Sequence, residues 1–309
     1  MIKRALYTTE VGHAGTLDPL AHGLLVVAVG KATRLVRFVQ DARKVYRTCV
    51  RFHSNSATLD AEGPFAPVVN PPEVTREAVL RALKELEGEH DQMPPAFSAK
   101  RVDGQRAYDL ARQGIEPKLT PKRVSAWRLT LLEADPPMPT TPGGLQRVTL
   151  ECEVSSGYYV RSLGRDLAHR LGTEGWLEML ERVSIGAFHR AEGIPSSRLE
   201  ATEGRSLEEI GEELRGRVVS PWLALAGLPQ ITVEPELLRD LRHGKQPRAP
   251  ESLQALLAVQ GGAGVVLRDA SGQPQAVVRV DAATGRLQTD LDLATLGHAL
   301  SDKSNGNLQ

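Results

Sequence analysis

Three hydrophobic patterns organise the first half of the chain. Along Lys44 to Phe52 (KVYRTCVRF) apolar and polar residues interleave, which predicts a strand. After Thr75, residues Val79, Leu80, Leu83 and Leu86 recur at helical spacing; Thr75 supplies the cap and Gly88 the stop. From Leu24 to Val29 (LLVVAV) the run is unbroken and short, as in a buried strand. Further on, strands are expected at Arg123 to Leu132 and Arg147 to Val154. Helices are expected at about Arg106 to Gln113, from Tyr159 to about Leu171, and over Gly175 to Arg182. Thr58 to Gly63 reads as a turn, and the Pro- and Gly-rich ADPPMPTTPGGLQ as an exposed connection. Beyond about Leu228 the pattern shifts to short β segments, Gln230 to Val233, Gly264 to Arg268 and Gln275 to Val280. That change marks a small β-rich domain, followed by a disordered tail over Ser301 to Gln309.

Composition narrows the class. With 309 residues and 41% hydrophobic content, the chain can bury one substantial core and carry a second, smaller domain. No apolar stretch is long enough for a bilayer, and MIKR lacks a following apolar region, so no membrane is expected and the location expected is cytoplasmic. The two cysteines, Cys49 and Cys152, lie in strand-like segments without metal-ligand spacing, so no metal site and no disulfide framework are expected. Net charge is zero, which argues against indiscriminate polyanion binding. Lys31, Arg34, Arg37, Arg43, Lys44, Arg47 and Arg51 nevertheless crowd one stretch, either as a solvated surface or as a face for a phosphate backbone.

The candidate chemistry sits in VGHAGTLDPLAHGLLVVAVGK, Val11 to Lys31. Gly12, Gly15 and Gly23 permit backbone conformations closed to other residues, and Pro19 biases Asp18 away from helix. One carboxylate is thus presented on a special turn. Gly30-Lys31 is no phosphate loop, because Ala32 replaces the Ser/Thr and a strand-like run precedes it. No G-x-G-x-x-G, H-E-x-x-H or G-x-S-x-G pattern occurs.

Five ordered segments complete the pattern. G-H-x-G-T-L-D-P is matched by Gly12, His13, Gly15, Thr16, Leu17, Asp18 and Pro19, and K-x-Y by Lys44 and Tyr46. G-x-Y-[VI]-R leading into R-D-L is matched by Gly157, Tyr159, Val160, Arg161, Arg165, Asp166 and Leu167, while Met93 to Ala99 and Gly104 to Gly114 supply the remaining segments. Together they resemble the TruB family of tRNA pseudouridine synthases, from Val11 to about Asp281. The resemblance implies an α+β pseudouridine synthase fold with a mixed, largely antiparallel central sheet flanked by helices and loops, and a small C-terminal β-rich PUA-like domain. The implied boundaries are 1–225 for the catalytic domain, 226–300 for the PUA-like RNA-binding domain and 301–309 for the tail.

The implied reaction is isomerisation of the uridine at position 55 in the T loop of tRNA, with the base flipped out of the loop. Breaking a glycosidic bond and rejoining the base through carbon needs no redox change, so no cofactor is expected. By resemblance Asp18 is the nucleophile, Arg161 orients it by charge and hydrogen bonding, and Tyr46 stacks on uracil or takes part in proton transfer. His13, Lys44 and Tyr159 are the implied RNA-binding residues. The partner implied is the tRNA T arm, met by a monomer. His22, Ala57 and Glu181 depart from the family pattern. Relatives also carry a strand and a K-P-x-G-x-[TS]-S turn ahead of G-H-x-G, where only ten residues precede Val11, so the natural protein is expected to begin earlier. Two other function classes stand beside this one: a tRNA-binding or tRNA-folding protein without catalysis, and a glycosidic-bond hydrolase using Asp18.

Overall fold

The computed structural model describes residues 1–98, 101–102, 105–135, 144–199, 205–251, 253–254, 264–281 and 283–294. Contacts divide the chain into two compact units, one formed by Gly15–Val26 and Gln40–Gly193, the other by Met1–Ala14, Val27–Val39 and the chain from Ile194 onward.

The alternation in KVYRTCVRF makes Lys44–Phe52 a central strand, with Val50 and Phe52 buried on one face and Arg47 exposed on the other. Around it stands a seven-stranded mixed sheet in the order Phe188–His189, Gly175–Ile185, Lys44–Phe52, Arg147–Val154, Lys122–Ala134, Gly88–Gln92. Every one of these neighbours is antiparallel; the short Ala21–Gly23 strand adds to Gly175–Ile185 in parallel. One face holds the core, where Val50, Leu150, Cys152 and Leu177 meet Val79, Leu83 and Leu86 of the Arg76–Leu86 helix and Leu163 and Leu167 of the Val160–Arg170 helix. The opposite face is a lattice of ion pairs, including Arg51–Glu178 (3.2 Å), Arg43–Glu153 (3.2 Å) and Arg147–Glu178 (3.6 Å). One apolar and one charged face are what period-two alternation in an antiparallel sheet produces.

In the other unit, Gln230–Thr232 lies parallel to Val265–Arg268, and Pro274–Val280 and Leu287–Asp292 continue the sheet in antiparallel order. The helix Pro235–Arg242 sets Leu238 and Leu241 into a core with Val265, Leu267 and Val278. A neighbouring core joins Leu35 and Leu225 to Val266, Val277, Leu291 and Leu293.

Several expected elements form with nearly the expected bounds: Lys44–Phe52, Arg147–Val154, Lys122–Ala134, Arg76–Leu86 and Val160–Arg170. Two differ. Gly175–Ile185 is a strand, not a helix, and its register shifts between Leu177 and Met179 and again between Arg182 and Ser184. Each irregularity lets the strand skip a step in its alternation, so the buried residues Trp176, Leu177, Leu180 and Ile185 fall at spacings that imitate a helical period. Of Leu24 to Val29, only Val27–Val29 is a strand, half-buried and paired with Val11–His13. Elements not anticipated include the Val36–Asp41 helix, the Gly88–Gln92 strand at the edge of the main sheet, the Leu207–Gly216 helix, with its Ser206/Glu209 capping box, the Pro235–Arg242 helix and the Leu287–Asp292 strand. Residues 136–143 of the expected connection and the whole of the tail lie outside the described residues.

Candidate active site

The turn bearing Asp18 is a local consequence of its glycines. Gly15 (φ +98°) and Gly23 (φ +102°) adopt a left-handed backbone that disfavours a side chain, and between them the Ala21 amide donates to the Asp18 carbonyl (2.8 Å). The Asp18 side chain keeps 41% of its surface exposed, as a group that must reach a ligand requires.

Arg161 comes to it from the first turn of the Val160–Arg170 helix. Its Nε–H donates to Asp18 Oδ2 at 2.8 Å. The rest of the guanidinium, 6% exposed, is held from three other sides: Nη1 donates to the Thr58 carbonyl (3.0 Å) and to Asp60 Oδ2 (3.3 Å), and Nη2 donates to the Phe97 carbonyl (2.9 Å). Asp60 is itself buried and accepts from the Thr58 hydroxyl and the Glu62 amide. Arg161 therefore has one orientation available, and Asp18 receives a charge-assisted hydrogen bond from a fixed direction.

Around this pair the loop from Met93 to Ser98 is tied to the same helix. Ser162 Oγ and Arg165 Nη2 both donate to the Met93 carbonyl (2.8 and 3.0 Å). The buried Gln92 amide grips the Tyr159 backbone twice, donating to its carbonyl (3.1 Å) and accepting from its amide (2.8 Å). Tyr159, the N-cap residue of the helix, has its phenol pushed above the ordinary tyrosine range by burial and by the nearby Asp18 carboxylate, with the Ser98 hydroxyl and Arg161 pulling the other way.

Tyr46 lies on the core side of the central strand. Burial pushes its phenol up, offset in part by the Arg182 guanidinium, and Asp18 is close enough to add to the rise. Of the residues expected from the sequence, Asp18, Arg161, Tyr46 and Tyr159 thus share one site. Lys44 is oriented differently: it is 8% exposed, and its ammonium donates to the Gln40 and Ala42 carbonyls (2.6 and 2.9 Å), with burial and the Arg182 charge lowering its pKa to about 8. His13 is exposed on the Val11–His13 strand of the other unit. Among the described residues no group of His, Cys, Asp or Glu could hold a metal ion, and no helix is long and apolar enough to cross a membrane.

The TruB family pseudouridylate synthase (N terminal domain) model matches residues 3–160. The tRNA pseudouridine synthase B of Caulobacter vibrioides is 40% identical over 262 residues, which span 83% of this chain and 79% of that protein. The chain belongs to the TruB family of pseudouridylate synthases. The tRNA pseudouridine synthase B of Deinococcus radiodurans is 32% identical over 300 residues, 90% of this chain and 92% of the relative. The fold is similar to that of a Cbf5–Nop10–Gar1 complex chain (TM-score 0.60, 20% identity, 90% of this chain and 72% of that one). As a TruB-family isomerase, the protein carries in Asp60 and Gln92 two residues of this site that no local sequence pattern marks. Asp60 sits in TLDAEG, which reads as a plain turn because its partner Arg161 is 101 positions away. Gln92 is invisible for a similar reason, since it binds peptide groups rather than side chains.

Proposed function

We propose that the protein converts uridine 55 in the T loop of tRNA to pseudouridine, with Asp18 as the nucleophile. The observation that carries this is the Asp18–Arg161 pair: an accessible carboxylate aimed by a buried guanidinium that is itself held by the Thr58 and Phe97 carbonyls and the Asp60 carboxylate. In the net reaction the bond from N1 of uracil to C1′ of the ribose breaks and the bond from C5 to C1′ forms, while the C5 proton leaves and N1 acquires one. No electrons are exchanged with another molecule. Asp18 attacks the flipped nucleotide and leaves again once the base has turned. Tyr46, whose phenol burial pushes further above its ordinary range, offers a flat face to the base and a hydroxyl to hydrogen-bond it. Tyr159 borders the same space, and His13 contributes on the RNA side. The region 226–300 acts as a PUA-like module gripping the tRNA arm, and the protein works as a monomer in the cytoplasm.

Carbodiimide labelling and primer extension on an unmodified tRNA transcript test this directly, since pseudouridine and uridine have equal mass. Wild-type protein is expected to give a single stop at position 55. Asp18→Asn keeps the shape of the turn and is expected to bind tRNA but form no product. Arg161→Lys keeps the charge but loses the planar fork, and kcat is expected to fall by about 100-fold with tRNA affinity little changed. Free uracil as the product, or substantial turnover by Asp18→Asn, would overturn the reading.

A further inference from the structure

Arg182 is the second enclosed arginine of this unit, at 2% exposure, on the Gly175–Ile185 strand. Among the described residues no carboxylate forms an ion pair with it. A charge taken out of water has to recover its solvation through hydrogen bonds. Arg182 recovers it from the turn that bears Asp18. Its Nε–H donates to the Leu24 carbonyl (2.8 Å), Nη1 to the Thr16 carbonyl (3.2 Å) and Nη2 to the Gly15 carbonyl (3.3 Å), while its own carbonyl accepts from the Leu24 amide (2.8 Å). Both ends of the segment containing Asp18 are thereby tied to one side chain.

The strand register gives this a second meaning. On one side Arg182 is the Cα partner of Gly23, where an added Cβ would stand 2.4 Å from the Arg182 carbonyl oxygen, so the close approach needs the glycine. On the other side it is the Cα partner of Tyr46. The strand position that holds the nucleophile's turn is therefore also the one that faces the aromatic residue.

We propose that Arg182 is a positioning residue for the isomerisation, holding the Asp18 turn at a fixed place against the Tyr46 strand so that carboxylate and phenol meet the flipped uridine as one preformed unit. Arg161 aims the carboxylate, and Arg182 fixes the backbone that carries it. The inference rests on Asp18 being the nucleophile. Three carbonyls approached from different directions suit a planar guanidinium, whereas the ammonium of a lysine cannot span them.

The test compares wild type, Arg182→Lys and Arg182→Gln in steady-state turnover on the tRNA transcript, with hydrogen exchange read on the free proteins. Both variants are expected to lose about 100-fold in kcat, the scale of an ångström-level misplacement. KM is expected to stay within about threefold, because the contacts to tRNA remain. In wild type the Ala21 and Leu24 amides should be protected; in Arg182→Lys they should exchange at least about tenfold faster while Thr48 and Val50 are unchanged. Equal kcat for Arg182→Lys, or a raised KM at constant kcat, overturns the proposal. If the variants do not fold, wild type decides alone: unprotected Ala21 and Leu24 amides would mean that no preformed turn exists. A wild-type protein that forms no pseudouridine instead defeats the functional reading beneath the inference, and the wild-type assay tells the two failures apart.

Discussion

Arg161 and Arg182 are both buried, and what distinguishes them is the identity of their acceptors. Arg161 divides its donors between two carboxylates and two carbonyls, which leaves Asp18 aimed but still accessible. Arg182 donates to carbonyls of one turn. Cys152 is buried as a neutral group, and there burial keeps it from ionising. The thiol is fully buried and its pKa is pushed up to about 12. In the unfolded chain it ionises near its ordinary value, so above about pH 9 the unfolded state binds fewer protons than the folded one and stability falls as pH rises. Relative to Cys152→Ala, wild type is expected to lose about 2 kcal/mol between pH 9 and pH 11, with little loss below pH 9. Urea denaturation of both proteins across that range measures the difference; parallel curves would refute it.

At the scale of elements, the Arg76–Leu86 helix shows what local signals can do. Thr75 Oγ1 accepts from the Ala78 amide (3.2 Å), satisfying one of the free donors of the first turn, and the apolar stripe from Val79 to Leu86 fixes the buried face. Thr75→Ala is expected to cost about 1 kcal/mol by urea denaturation, with turnover unaffected. The Gly175–Ile185 strand shows the reverse. Its two register shifts hide the period of two, and only its pairing with Lys44–Phe52 makes it a strand. Those same irregularities accompany the placement of Glu181 and Arg182: Glu181 is buried against Arg190, with His22 Nδ1 at 3.9 Å, and Arg182 turns to the turn that bears Asp18.

For the whole molecule, chain order and compactness part company. Leu35 comes early in the sequence yet is buried, 2% exposed, among Leu225, Val266, Val277 and Leu291. Leu35→Ala is expected to destabilise the protein by about 2–5 kcal/mol, the range for removing a large core side chain. Truncation after Gly227 removes Val266, Val277 and Leu291 and bares Leu35 and Leu225, so the shortened protein should lose solubility as well as RNA affinity. A truncated protein as soluble as the full chain would show that this core does not bind the segments together.

By itself, the sequence determined the features whose causes are local. Alternation in KVYRTCVRF, the Thr75 cap, and the glycines around Asp18 act over a few residues, so the central strand, the first long helix and the turn with its carboxylate could all be read directly. The ordered motifs extended that reading to Arg161 and Tyr46. Tertiary structure decided whatever depends on partners distant in the chain. Asp60 and Arg182 resemble ordinary charged residues until folding sets them 101 and 166 positions away against Arg161 and Thr16. Lys44 fits a basic face until burial turns its ammonium to the Gln40 and Ala42 carbonyls. The physical reason is the same in each case: a buried charge takes its role from the groups that replace its water, and which groups those are is settled only when the chain closes on itself.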